Sequence, residues 1–242
     1  MRKNEHKIAI ISGGIDAIAI ATMEKFTAAG YLVIFWDSDD RKGRVIVSEL
    51  KAKKKAVEFM QVDTIQLEKL EIAARQIFDK YKRIDILINN SHTANSIDSE
   101  DWNSTLDKSL KGVMNCIKAI SPYMVLNNYG RILNTTSLLG LYGDINQINY
   151  TAVKNGVLGI SKIWLLELSK NNITVNTVAP GYIEGDFTGK NPALLLKSIK
   201  EKIPSRRIGK PEEVANAYFF LASEDASYIN GAVLTVDGGY TV

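Results

Sequence analysis

The stretch Gly130–Gly159, GRILNTTSLLGLYGDINQINYTAVKNGVLG, decides the fold. It opens with a segment, Arg131 to Thr136, that reads as a buried strand. The run ends in three hydroxyls, Thr135, Thr136 and Ser137. A glycine-containing loop follows, and Tyr150-Thr-Ala-Val-Lys154 then opens an apolar helix to about Leu168. Tyr150 and Lys154 are spaced i, i+4, so on a helix they share a face. An ammonium beside a phenol favours phenolate and lowers a pKa that is ordinarily ~10. Ser137, at the carboxyl end of the strand, can hydrogen-bond the same substrate oxygen. The arrangement suits interconversion of a carbonyl and an alcohol, with a separate cofactor carrying the hydride. Taken alone, Tyr150 would read as an interfacial helix residue and Lys154 as a solvated one. The strand before them and the nucleotide-binding pattern further upstream reverse that reading.

Upstream, strands and helices alternate. Lys7–Ile11 is a buried strand, Ser12-Gly13-Gly14 a turn, Ile15–Ala29 a helix ended by Gly30, and Leu32–Trp36 a second strand closing on Asp37. This is a β-α-β unit. A Lys-rich helix over 41–54, a strand Val57–Val62 ending at Asp63, and an amphipathic helix Gln66–Tyr81 follow. Strand four is read as Ile84–Ile88, ending in Asn89-Asn90, with a long helix over 102–126 after it. Beyond the opening stretch come a strand Thr174–Val178 running into Ala179-Pro180-Gly181, an irregular segment to about Pro204 that would cover the site as a lid, a helix starting at Pro211, and a last strand Ala232–Val236. Alternation of this kind predicts an α/β fold, with a doubly wound, seven-stranded parallel sheet covered by helices on both faces. No linker or repeat divides the chain, so residues 1–242 read as a single domain.

Composition narrows the function classes. A net charge of +3 argues for neither nucleic acid nor membrane as partner. The one basic run, Lys51-Ala-Lys-Lys-Lys55, suits a solvated helix end. The single cysteine, Cys116, lies in an apolar helical pattern and reads as core. No His/Cys/Asp cluster has metal-ligand spacing, so no metal is expected. No apolar run is long enough to span a bilayer, and MRKNEHK lacks a signal-peptide core, which makes the cytoplasm the expected location.

In an open parallel sheet, ligands bind beyond the carboxyl ends of the strands. Ser12, Gly13, Asp37, Asp63, Asn89, Ser137, Pro180 and Gly181 fall there. Asp37 can accept hydrogen bonds from ribose hydroxyls and repel a 2′-phosphate, and Asp16 in the glycine loop points the same way, so NAD(H) is favoured over NADP(H). A helix-cap role for Asp37 is compatible with the same position.

With these residues in place, the chain resembles the short-chain dehydrogenase/reductases, and within them most the 3-oxoacyl-acyl-carrier-protein reductases. The resemblance runs from Ile8 to Val236-Asp-Gly-Gly239. It implies a Rossmann fold and catalysis by Ser137, Tyr150 and Lys154, with Lys154 also holding the nicotinamide ribose. It places Ser12, Gly13, Ile15, Ile18, Asp37, Asp63, Thr64, Asn89, Ser91, Tyr150, Lys154, Pro180, Gly181 and Ile183 around the cofactor. Asp63 and Thr64 would flank the adenine, and Pro180, Gly181 and Ile183 would line the nicotinamide. Several positions depart from the family pattern. The loop T-G-x-x-x-G-x-G has Ala17 and Ala19 for two of its glycines; N-N-A-G reads Asn89-Asn90-Ser91-His92; a helix asparagine aligns with Ser109; and a threonine aligns with Gly185. A methyl at Ala17 narrows the approach to the pyrophosphate.

The segment from Ile203 to Tyr228 also resembles the acyl-carrier reductases. Where such reductases would carry basic residues for an acidic carrier, this chain has Asn127-Asn128 and Asn171-Asn172, leaving Arg131 alone. An acyl thioester or a small-molecule alcohol or sugar is the implied substrate. Leu138, Leu139, Leu141, Tyr142 and Tyr182 would make a partly apolar cleft, or equally pack the loop. By resemblance the helices 102–126 and 150–168 would pair across two-fold axes in a homotetramer or homodimer. The alternative of another class is a catalytically weakened nucleotide-binding or structural subunit, motivated by Ala17, Ala19, Ser109 and Gly185.

Overall fold

The computed structural model describes residues 6–13, 15–90, 106–138, 148–185, 188 and 192–241. Its strands are β1 (Ile8–Ser12), β2 (Leu32–Asp37), β3 (Val57–Gln61), β4 (Ile86–Asn89), β5 (Gly130–Thr135), β6 (Ile173–Pro180) and β7 (Val233–Val236). β1, β4, β5 and β6 are buried along their whole length, polar Arg131, Asn134 and Asn176 included. All pairings are parallel, in the order β3-β2-β1-β4-β5-β6-β7. The order reverses between β1 and β4, which opens a crevice beyond their carboxyl ends. The register sets Ser12 beside Asn89, Asn89 beside Asn134, and Thr135 beside Val178.

The helices are α1 (Ala17–Ala28), α2 (Asp40–Ala52), α3 (Leu67–Tyr81), α4 (Gly112–Leu126), α5 (Ile148–Leu168), α6 (Ala193–Lys202) and α7 (Pro211–Ala222). Side-chain alternation along the strands builds two cores. Ile8, Ile10, Ile34, Trp36, Leu87 and Ile132 face α3, α4 and α5. Ala9, Ile11, Val33, Phe35, Ile88 and Leu133 face α1, α2 and α7. Each Ile, Leu, Val and Phe among them contributes about 1.5–3 kcal/mol by leaving water. Cys116 is part of the first core, and burial pushes its thiol up to about 12. Lys51, Lys53 and Lys54 are exposed around the end of α2.

The structure differs from the sequence reading in three places. β4 starts at Ile86, because the Asp85 carboxylate turns back to accept from the Ile8 amide at 2.7 Å, and Arg83 forks onto it. Residues 193–202 are a helix rather than irregular chain: Ala-Leu-Leu-Leu-Lys are strong helix formers, and Pro192 stands at the cap. The helix before β5 is not uniform, since Asp107–Lys111 forms a π-turn with the Gly112 amide bonded to the Asp107 carbonyl. No described helix is long and apolar enough to cross a membrane.

Candidate active site

The strand ends are tied by a line of side chains. Ser12 Oγ donates to Asn89 Oδ1, Asn89 Nδ2 to Asn134 Oδ1, and Asn134 Nδ2 to Ser161 Oγ, each at 2.8 Å. Ser161 Oγ then donates to the Val157 carbonyl on α5 at 2.7 Å. The line fixes α5 against β1, β4 and β5. It also engages both ends of the Asn89 amide, which is fully buried, so Asn89 shapes the crevice rather than presenting its side chain to a ligand. Thr135 extends the lattice, donating to the Asn89 carbonyl and sharing a 2.7 Å hydrogen bond with the Tyr218 hydroxyl of α7.

Ser137, Tyr150 and Lys154 come together at this edge. Tyr150 stands on α5, two residues after Ile148. The Ser137 hydroxyl hydrogen-bonds the Tyr150 phenol. Lys154, 1% exposed, sits one turn along with Nζ 5.8 Å from the Tyr150 ring centroid, and donates to the Thr135 carbonyl at 3.3 Å. The Thr136 hydroxyl bonds the Lys154 carbonyl at 2.9 Å, locking the helix to the strand end. The electrostatics correct one expectation. Burial raises the Tyr150 phenol above its ordinary value, and the Ser137 hydrogen bond pulls against that rise. The Lys154 ammonium is itself desolvated and pushed down to about 8, with the Asp16 charge opposing that fall.

The other predicted positions line the carboxyl edge. Gly13 takes φ +74°, and its amide donates to the Trp36 carbonyl. Ile15 is half-buried and Ile18 buried at the start of α1. Asp37 ends β2; one oxygen accepts from the Asp39 amide at 2.9 Å, and burial raises its carboxyl. The cap of α2 is Asp39, which accepts from Lys42, so Asp37 is not the helix cap. Asp63 organises its turn by accepting from the Ile65 amide, and Asn115 of α4 holds the Thr64 carbonyl. Pro180 closes β6, and the Gly181 amide bonds the Val236 carbonyl. A Cβ on Gly181 would lie 2.8 Å from Asp237 Cβ and 3.0 Å from Leu138 Cδ2, so that position admits only glycine. Ile183 bridges Gly209. Ser91, His92, Leu139, Leu141 and Tyr142 lie outside the described residues.

Asp16 corrects a second expectation. Its carboxylate caps α1, accepting from the Ala19 amide at 2.6 Å, and the Asn90 amide donates to it at 3.3 Å. It is directed at the helix end and β4. Arg131 corrects a third: it is fully buried, donates to the Gly130 and Asn172 carbonyls and to Glu224, and stacks on Tyr129. It ties β5 to the turn Glu224–Ala226 and presents nothing to an acidic carrier. Asn128 and Asn172 take φ +47° and +56°, left-handed positions that asparagine suits. Ser109 is buried on the π-turn, with no partner for its hydroxyl among the described residues.

Sequence reasoning missed Asn134, Ser161 and Tyr218 as parts of the site. The paired register of β4 with β5 was the available signal for Asn134; Tyr218 arrives from α7, with no local cue. The Thr188 hydroxyl folds back onto the Gly185 amide and carbonyl. Among the described residues, no group of three or more His, Cys, Asp or Glu could hold a metal ion.

A family profile described as Enoyl-(Acyl carrier protein) reductase matches residues 13–241. The 3-oxoacyl-[acyl-carrier-protein] reductase FabG of Thermotoga maritima is 36% identical over 243 residues, covering 98% of this chain and 99% of the relative. The FabG of Aquifex aeolicus is 34% identical over 244 residues, covering 98% of each chain. The solved structure described as ElxO with NADP bound superposes with a TM-score of 0.87 at 28% identity, over 97% of this chain and 98% of that one. Fold, strand-end site and relatives agree, and the chain belongs to the short-chain dehydrogenase/reductase family of nicotinamide-dependent oxidoreductases.

Proposed function

We propose that this chain is an NAD(H)-preferring reductase of 3-oxoacyl thioesters, acting on the carbonyl or, in reverse, on the corresponding secondary alcohol. The observation that carries the reading is the Ser137–Tyr150 hydrogen bond backed by the buried Lys154 ammonium. A substrate oxygen that meets one of these hydroxyls is placed to meet the other. Tyr150 Oη gives that oxygen its proton in reduction and takes it back in oxidation, and Ser137 Oγ orients it. Lys154, with its pKa near 8, is largely charged at neutral pH, and it stabilises the phenolate as the proton leaves. The nicotinamide, when bound, supplies or accepts the hydride.

The nicotinamide end of the crevice fits such a cofactor. Gly181 leaves no side chain between Leu138 and Asp237, and the Lys154 ammonium lies beside Tyr150. Gly13, in a left-handed turn, leads into the helix whose amino end would face the pyrophosphate. Asp37 supports NAD(H), because a half-buried carboxylate there accepts from ribose hydroxyls and repels a 2′-phosphate. The burial of Arg131 and the asparagines at 128 and 172 favour recognition of the acyl thioester itself over its carrier. One domain over 1–242, a cytoplasmic location and assembly through α4 and α5 complete the reading. Ile163 and Leu166 of α5 and Leu126 of α4, exposed at 57%, 74% and 70%, support that assembly.

Calorimetric titration with NADH and NADPH tests the cofactor assignment. NADH should bind at least tenfold more tightly, and Asp37→Ser should narrow the gap. Tighter NADPH binding would overturn it.

A further inference from the structure

Two features of the crevice attract anions: the amino end of α1 and the Lys154 ammonium. In doubly wound folds the first of these is where a dinucleotide pyrophosphate sits, bonded to backbone amides and favoured by the helix dipole. Here a carboxylate of the chain itself is already in that place. Asp16 Oδ1 accepts from the Ala19 amide at 2.6 Å, and its two oxygens receive the Asn90 amide at 3.4 and 3.3 Å. Its negative charge is felt at Lys154, where it favours the ammonium, and at the buried Tyr218 hydroxyl. Asp16 therefore makes the contacts that a phosphate oxygen would make with the helix end. As a cap with charge of the right sign for the dipole, it stabilises the unliganded loop. Asn90 braces it from β4 and is itself buried.

We propose that Asp16 is an internal anion that latches the phosphate cradle, so that a pyrophosphate group binds only after this carboxylate has left the Ala19 amide. The residue thereby sets the affinity of the site for dinucleotides. The proposal rests on the reading of this crevice as a dinucleotide site. It reassigns Asp16 from the adenosine end to the middle of the cleft.

Asp16→Asn tests it, since asparagine caps a helix about as well as aspartate but carries no charge. Asp16→Gly is the second variant, tolerated at a helix cap and leaving the Ala19 amide free. Each is titrated with inorganic pyrophosphate and with NADH, and hydride transfer to a 3-oxoacyl thioester is measured separately. Both variants should bind pyrophosphate at least tenfold more tightly than the parent chain, with the ratio shrinking as salt screens the repulsion. Thermal midpoints should stay close to that of the parent. Equal or weaker pyrophosphate binding by the variants, including no binding by any of the three, overturns the latch. Tighter pyrophosphate binding with no NADH binding and no hydride transfer leaves the latch standing and removes the oxidoreductase reading. Normal turnover with unchanged pyrophosphate affinity does the reverse.

Discussion

The methyl of Ala17 and the α-carbon of Gly185 face each other: a Cβ built on Gly185 would lie 3.0 Å from the Ala17 Cβ. Gly185 also takes φ +138°, a conformation that L side chains rarely adopt. In sequence these are two separate departures from the family pattern, one on the cofactor loop and one after β6. In space they are one contact, with a methyl added on the loop side where the chain opposite carries none. The loss of a glycine at 17 is thus matched across the crevice.

Gly185→Ala should lower stability by about 1–3 kcal/mol, combining backbone strain with a tight methyl contact. Adding Ala17→Gly relieves only the contact, so the double variant should recover part of the loss. Urea midpoints of the four chains measure both terms. Full recovery would show that backbone strain is absent.

The folded Lys154 titrates near 8, below the ~10.4 of an unfolded lysine. Between these values the unfolded chain binds more protons, so stability rises with pH as the buried amine becomes neutral. The slope is at most about 1.4 kcal/mol per pH unit. Cys116, raised by burial, works in the opposite direction above about pH 9. Comparison with Lys154→Met cancels that contribution. The stability difference, parent minus variant, should grow from pH 8 to pH 10, and a flat difference would place the ammonium in water.

Arg131 is buried beneath Tyr129 and paired with Glu224. Arg131→Met should cost about 2–4 kcal/mol, because the Gly130 and Asn172 carbonyls lose their donor. The ratio of kcat/KM on carrier-bound and coenzyme-bound thioesters should not change. A selective loss on the carrier-bound substrate would restore Arg131 as a docking residue.

The strands were legible because burial on both faces leaves largely apolar runs without regular alternation, and the site because polar residues cluster where those runs end. Tyr150 and Lys154 were legible from helical spacing together with the hydroxyl-ended strand and the nucleotide-binding pattern before them. What escaped were facts of register and direction. Asp85 shortened β4 by turning onto the Ile8 amide, and Asn89 spent its amide sideways on Ser12 and Asn134. Asp16 turned inward to cap α1, and Arg131 turned away from solvent. Charge in the sequence says that a group is polar; only packing decides which way it points. The Tyr150 pKa belongs to the same class, since spacing announces the lysine and burial sets the balance.

Single-turnover oxidation of NADH with a 3-oxoacyl thioester, in the parent chain and in Tyr150→Phe, tests the central claim most directly. With Tyr150 as the proton donor, the rate should be lower by about 10³-fold in the variant, within the range for loss of an acid–base group, with NADH affinity and thermal midpoint little changed. A variant rate within a few-fold of the parent would contradict it, because the proton would then come from another group than Tyr150.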